Sequence, residues 1–157
     1  MEYEMQTRSY LACLMFMMVL ISNIWLEPAT AEEAPKVSWR TLVQLNYETG
    51  TYPETLGQLN GTQVQVPGFA VPLHMEGAEI LELTLVPQFG MCIHVPPPPP
   101  NQMVYVKLKE RASYQDLFMR PVWIIGKLDI FTTDSQYGAT GFTIANADWR
   151  PYKIPQR

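Results

Sequence analysis

Short runs of alternating apolar and polar residues, with no long stretch of helical period, most restrict the fold open to this chain. Gln63-Val64-Gln65-Val66 alternates strictly before Pro67-Gly68 bends the chain into Phe69-Ala70-Val71-Pro72-Leu73. The connection HMEGAE then leads to 80–86, and further strand-like runs follow at 103–108, 122–130 and 141–145. Successive side chains of a strand point to opposite faces, so a half-buried strand repeats its apolar residues with a period of two. Helical pattern is confined to single turns. These are 38–43, capped by Ser38 with Trp39, Leu42 and Val43 on one face, then 54–59 and 113–119. The chain therefore reads as all-β. Gly68 and Gly126 interrupt two of the strands, where a small barrel closes through sharp bends. A small OB-like five-stranded barrel with short helical turns fits best, and a sandwich is the alternative. Trp39, Trp123, Tyr105 and Phe89 are expected to fill its core, with Glu79 and Glu82 turned to solvent.

The barrel is expected to occupy residues 32–157 as one domain, because residues 1–31 have the pattern of a cleaved signal peptide. Arg8 gives a short positive region, LACLMFMMVLISNIWL spans 11–26, and Ala29-Thr30-Ala31 supplies small residues before EEAPK. An uncleaved anchor is the rival reading, but the apolar run is shorter than the ~20 residues a spanning helix requires. Cys13 lies inside that segment, and "YLAC" stands at the start of the apolar run instead of following it, which excludes a lipoprotein signal. The mature chain is thus expected to be exported and soluble, with no stable membrane insertion.

Charge narrows the partners. Without residues 1–31 the chain keeps 10 of its 11 basic and 12 of its 15 acidic side chains, a net charge of −2. No basic run is present to neutralise phosphates, so nucleic acid is excluded as an expected partner.

The chemistry concentrates in GMCIHVPPPPPNQ, residues 90–102. Cleavage leaves Cys92 without a cysteine partner in its own chain, and an odd cysteine invites a ligand role, an intermolecular bond or a reactive thiol. On extended backbone Cys92 and His94 share a face. Thiolate and imidazole together suit zinc or copper(I), and His94 is equally placed to lower the thiol pKa and make Cys92 a nucleophile. A packing role stands beside both, since cysteine is commonly a small core residue. A zinc site needs further ligands, and His74 is the only other histidine. Gly90 bends the chain ahead of the pair. Pro96, Pro97, Pro98, Pro99 and Pro100 form a polyproline II rod that orders at small entropic cost. The rod fixes Cys92 and His94 relative to Asn101 and Gln102, which are candidates to orient the imidazole. No Ser-His-Asp order or phosphate-cradling glycine loop stands out.

The stretches LNGTQVQVPGFAVPL, LTLVPQFGMCIHVPPPPPNQMVYVKL and PVWIIGKLDI together resemble a bacterial exported family, domain of unknown function 3299. The resemblance spans about Ser38 to Tyr152. It implies a small OB-like barrel in the periplasm of a Gram-negative bacterium, with an envelope ABC-type transporter or another periplasmic protein as partner. It also implies a loose association with zinc supply. The family motif's Cys, His, Asn and Gln fall on Cys92, His94, Asn101 and Gln102, and no enzymatic mechanism comes with it.

Overall fold

The computed structural model describes residues 33–88, 90 and 97–153, and the elements below lie within the compact unit Ala34–Arg157. Two helical turns, α1 (Trp39–Leu42) and α2 (Glu54–Gly57), precede the long strand β1 (Thr62–Glu76) and its partner β2 (Glu79–Val86). A 3-10 turn at Pro100–Gln102 leads into β3 (Val104–Ser113), the turn α3 (Tyr114–Leu117) and β4 (Pro121–Asp129). A small hairpin, β5 (Thr133–Ser135) and β6 (Gly138–Thr140), precedes the last strand β7 (Phe142–Pro151). The strands β1-β2-β3-β7-β4 close into a barrel, and β5–β6 forms a separate two-stranded sheet. All barrel pairs are antiparallel except β3 with β7. This is the OB-like five-stranded barrel the alternation predicts.

Closure depends on β1, which pairs with β4 from Thr62 to Phe69 and with β2 from Phe69 to Glu76. The strand changes partner at the Pro67–Gly68 bend. A β-carbon on Gly68 would stand 2.6 Å from Val86 O and 2.8 Å from Leu85 Cγ, so the bend works because this position has no side chain. Gly126 plays the same part in β4, where a β-carbon would lie 2.5 Å from Ile144 Cγ2. Opposite it, β7 carries a bulge. Ile125 pairs with Asp148 and Lys127 with Ala145, leaving Asn146 and Ala147 across from Gly126, and Asn146 takes φ 54. Asparagine tolerates this left-handed geometry better than most residues, and the extra residue bends the strand.

Inward-facing Val64, Val66, Leu83, Leu85, Val104, Val106, Val122, Ile124, Leu128, Phe142 and Ile144 are fully buried. Each helical turn adds one leucine to this core: Leu42, Leu56 and Leu117 are at most 1% exposed. Burying each such side chain contributes about 1.5–3 kcal/mol, which explains why single turns too short to be stable alone persist here. No helix among the described residues is long and apolar enough to cross a membrane.

Some local expectations need correction. Val43 does not join Leu42; it is 39% exposed, because it falls at the C-cap, beyond the helical turn. Ser38 stands at the N-cap position without a side-chain cap, and its hydroxyl instead meets Thr41 Oγ1 at 3.2 Å. Trp39, Trp123 and Tyr105 are half-buried rather than core residues, and Phe89 lies outside the described residues. Trp39 directs its indole N–H to Pro67 O at 2.5 Å. Trp123 projects from the outer face of β4, stacked on Tyr152 with ring centres 5.1 Å apart and with Lys36 Nζ 5.8 Å from its ring. Glu79 is exposed as expected, whereas Glu82 is half-buried. Gln65, in the polar phase of its strand, is only 1% exposed. Residues 34–37 cover it: its backbone bonds Pro35 and Val37, and its side chain bonds Ala34 O and Arg150.

Candidate functional site at the proline segment

Cys92, His94 and Pro96 lie outside the described residues, and Gly90 and Pro97 are the described residues that flank their segment. The upstream end leaves β2 at Val86, which is buried, and reaches Gly90, whose φ of 78 suits glycine. Gly90 borders an apolar recess of about 140 Å³ with Phe69, Val71, Pro72, Phe118 and Met119.

The downstream end is anchored on the barrel. Pro97 is exposed and packs toward the β5–β6 hairpin, its Cγ 3.9 Å from where a β-carbon on Gly138 would stand. Pro98 is buried and Pro99 and Pro100 are half-buried. Pro99 has φ −64 and ψ 151, the extended polyproline geometry. Pro100 O accepts Gly141 N–H at 2.7 Å and Met103 N–H at 3.1 Å, and Gln102 N–H donates to Pro99 O at 2.8 Å. Proline has no N–H, so these carbonyls are the backbone hydrogen-bonding capacity the run retains; Pro99 O closes the 3-10 turn, and Pro100 O also reaches Gly141 just before β7.

Asn101 fixes the anchor from the side. Its Nδ2 donates to Val43 O at 3.1 Å and Leu45 O at 2.9 Å, tying the 3-10 turn to the chain just after α1. Both partners are carbonyls, which accept only, so the amide orientation is determined. Its Oδ1 is buried and accepts no hydrogen bond. Gly141 completes the contact: a β-carbon there would stand 2.8 Å from Leu45 Cδ2 and 2.9 Å from Pro100 O. Gln102 is half-buried beside Asn101, and Gly68 stands in β1, where its role is the barrel bend already described.

His74, the other histidine, is exposed in β1, with Nε2 3.8 Å from Glu76 Oε1. Among the described residues no group of three or more His, Cys, Asp or Glu is arranged to hold a metal ion. Among the described residues, Tyr105 is the titratable group whose environment stands out. Burial raises its phenol pKa above 10.0, and the hydrogen bond to Glu82 and that residue's negative charge push it the same way.

The family model for "Protein of unknown function (DUF3299)" matches residues 30–151. A crystal structure of a DUF3299 family protein from Pseudomonas aeruginosa PAO1 is similar, with TM-score 0.63 and 29% identity. The alignment covers 78% of this chain and 99% of that one. A comparison with curated proteins found no match.

Proposed function

The chain belongs to the DUF3299 family, and from that premise we propose that it is a periplasmic accessory factor that binds zinc through Cys92 and His94 in the service of an envelope ABC-type transport system. The observation that carries this reading is the anchored proline run. Pro98 is buried, Pro100 is bonded to Gly141, and Asn101 is bonded to Val43 and Leu45. A segment whose downstream flank is held this firmly loses little entropy when its side chains close on a ligand. C-x-H on extended backbone supplies a thiolate and an imidazole to one ion, donors that suit zinc.

Asn101 serves this reading as the anchor of the downstream flank, through its bonds to Val43 O and Leu45 O. The remaining ligands would come from carboxylates, water or the transporter partner.

The test is a zinc titration of protein spanning residues 32–157 against a competing chelator, as a function of pH. Saturable binding of one zinc that weakens as pH falls through the imidazole range is expected, because the thiol must ionise and the ring must be neutral. Cys92→Ser and His94→Ala should each lower affinity at least tenfold. Zinc affinity indifferent to both substitutions would overturn the assignment. Rapid alkylation of Cys92 below pH 7 without metal retention would assign the pair to thiol chemistry instead.

A further inference from the structure

A second recess lies on the outer face of the barrel. Its floor is formed by Leu73 and His74 of β1, Glu82 of β2 and Tyr105 of β3, and its wall by Thr133–Gln136, at about 310 Å³. That volume is at the lower end of small-molecule sites. The recess arises from two irregularities. Register shifts on either side of His74 bring it opposite Glu82, and Glu82 in turn faces Lys107 on β3. The β5–β6 hairpin, inserted between β4 and β7, is fastened over this face. Gln136 Nε2 donates to Leu73 O at 3.2 Å, and Tyr137 Oη donates to Pro72 O at 3.4 Å. Thr133 and Thr143 share a hydroxyl bond of 2.8 Å, so the wall is fixed at its base as well as its tip. In five-stranded barrels of this class the β2–β3 face and its bordering loops are where oligonucleotides or oligosaccharides bind.

Electrostatics decides what class of ligand fits. Lys107 Nζ stands 3.5 Å from Glu82, and Arg111 stands 2.5 Å from Glu76 and 3.6 Å from Glu79. Two cations of this face, Lys107 and Arg111, are therefore engaged by carboxylates, and a phosphate would meet Asp134 and Glu82 at the recess itself. A metal ion is disfavoured too, because no three ligating groups converge among the described residues. What remains is a half-buried aromatic ring beside acceptors on the floor and wall: Glu82, which is hydrogen-bonded to Tyr105, the imidazole of His74 opposite it, and the exposed Asp134. Carboxylates accept in pairs from neighbouring hydroxyls, while a tyrosine ring packs against the C–H face of a sugar.

We propose that this recess binds a neutral, hydroxyl-rich ligand, a short glycan, against Tyr105 and between Glu82 and Asp134. Glycan binding here does not depend on the role assigned to Cys92 and His94. Its rigid wall means that binding requires no large rearrangement.

The experiment is a titration of residues 32–157 with two neutral probes, chitotetraose and maltotetraose, followed by amide chemical shifts. Parallel titrations use spermidine and a ten-residue oligothymidylate. Saturable shifts by at least one neutral probe, centred on residues 73–74, 82, 105 and 133–136, are expected. Asp134→Ala, at an exposed position outside the core, should weaken binding at least tenfold. Tyr105→Phe keeps the ring and should stay within about threefold, whereas Tyr105→Ala should lose binding while the rest of the spectrum remains folded. Cys92→Ser should bind the glycan normally, which separates this site from the zinc reading. Absence of saturation by both sugars, stronger binding of spermidine or the oligonucleotide, or an Asp134→Ala variant that binds like wild type would each overturn the proposal.

Discussion

Replacing Gly68 with alanine tests the account of barrel closure where it is most exposed to error. Gly68 does not have a positive φ, so the backbone itself accepts alanine. That acceptance would stabilise the protein by about 0.4–1 kcal/mol through the unfolded chain. The obstacle is space. The new β-carbon would stand 2.6 Å from Val86 O and 2.8 Å from Leu85 Cγ, where ordinary contact begins at 3.4 Å. Val86 is 1% exposed, Leu85 is 0% exposed, and the obstructing oxygen belongs to backbone that pairs with Phe69. Relief requires β1 and β2 to separate by several tenths of an ångström at the point where β1 also meets β4. Overpacking of this kind costs about 1–3 kcal/mol, and the upper part of that range applies because no rotamer change removes a carbonyl. The net expectation is a loss of about 2 kcal/mol. In urea, with a slope of roughly 1–3 kcal/mol per molar, the midpoint should fall by about 1 M with the slope unchanged. Gly50→Ala is the control: its φ is 72 and nothing lies within 4 Å, so it should lose only about 1–2 kcal/mol, from backbone strain alone. A Gly68→Ala variant within 0.5 kcal/mol of wild type, by the error typical of surface changes, would refute the steric account of the bend.

Asn101→Ala should cost about 1–3 kcal/mol, since it leaves the Val43 and Leu45 carbonyls without their donor; chemical denaturation reads this directly. Tyr105 has a folded-state pKa raised above 10.0 by burial and by Glu82. The unfolded chain therefore ionises first, and this contribution to stability, complete below the unfolded pKa, is lost as pH rises through the folded value. Tyr105→Phe should remove that part of the alkaline decline in urea-measured stability, and an unchanged decline would contradict the shift. Exported protein should begin at Glu32, and an intact mass that retains residues 1–31 would indicate an anchor. An oligonucleotide should show no salt-sensitive binding on the ~10⁻⁶ M scale of non-specific complexes.

The barrel was legible because its core strands keep one phase. Val122, Ile124 and Leu128 point inward at every second residue, with Gly126 among them. The phase fails where the backbone does. The bulge at Asn146 shifts β7 by one residue, so Ile144 and Ala147 are both buried and the alternation predicts an end near Ala145 instead of Pro151. The β5–β6 hairpin has no apolar alternation to read; hydroxyls hold it, including Thr140 Oγ1 to Thr133 O and Ser135 Oγ to Gly138 O. β3 likewise continues to Ser113 beyond the alternating stretch, because it parts from β2 between the Glu82 and Ile80 pairs. At the proline segment the sequence singled out Asn101, but not its partners, which lie 56 and 58 residues away. The recess at Tyr105 was not legible at all, because His74 faces Glu82 only through a register shift. A pattern of periods carries regular pairing; it does not carry bulges or contacts between distant loops.

X-ray absorption at the zinc edge, on the full mature protein loaded with one equivalent of zinc, reads the donor atoms of the proposed site themselves. Zinc held by Cys92 and His94 should show a sulfur scatterer at about 2.3 Å together with imidazole nitrogen at about 2.0–2.1 Å. In Cys92→Ser the sulfur should vanish, and in His94→Ala the imidazole multiple scattering should weaken. A shell of oxygen and nitrogen alone in the wild-type protein, unchanged in both variants, would contradict this assignment.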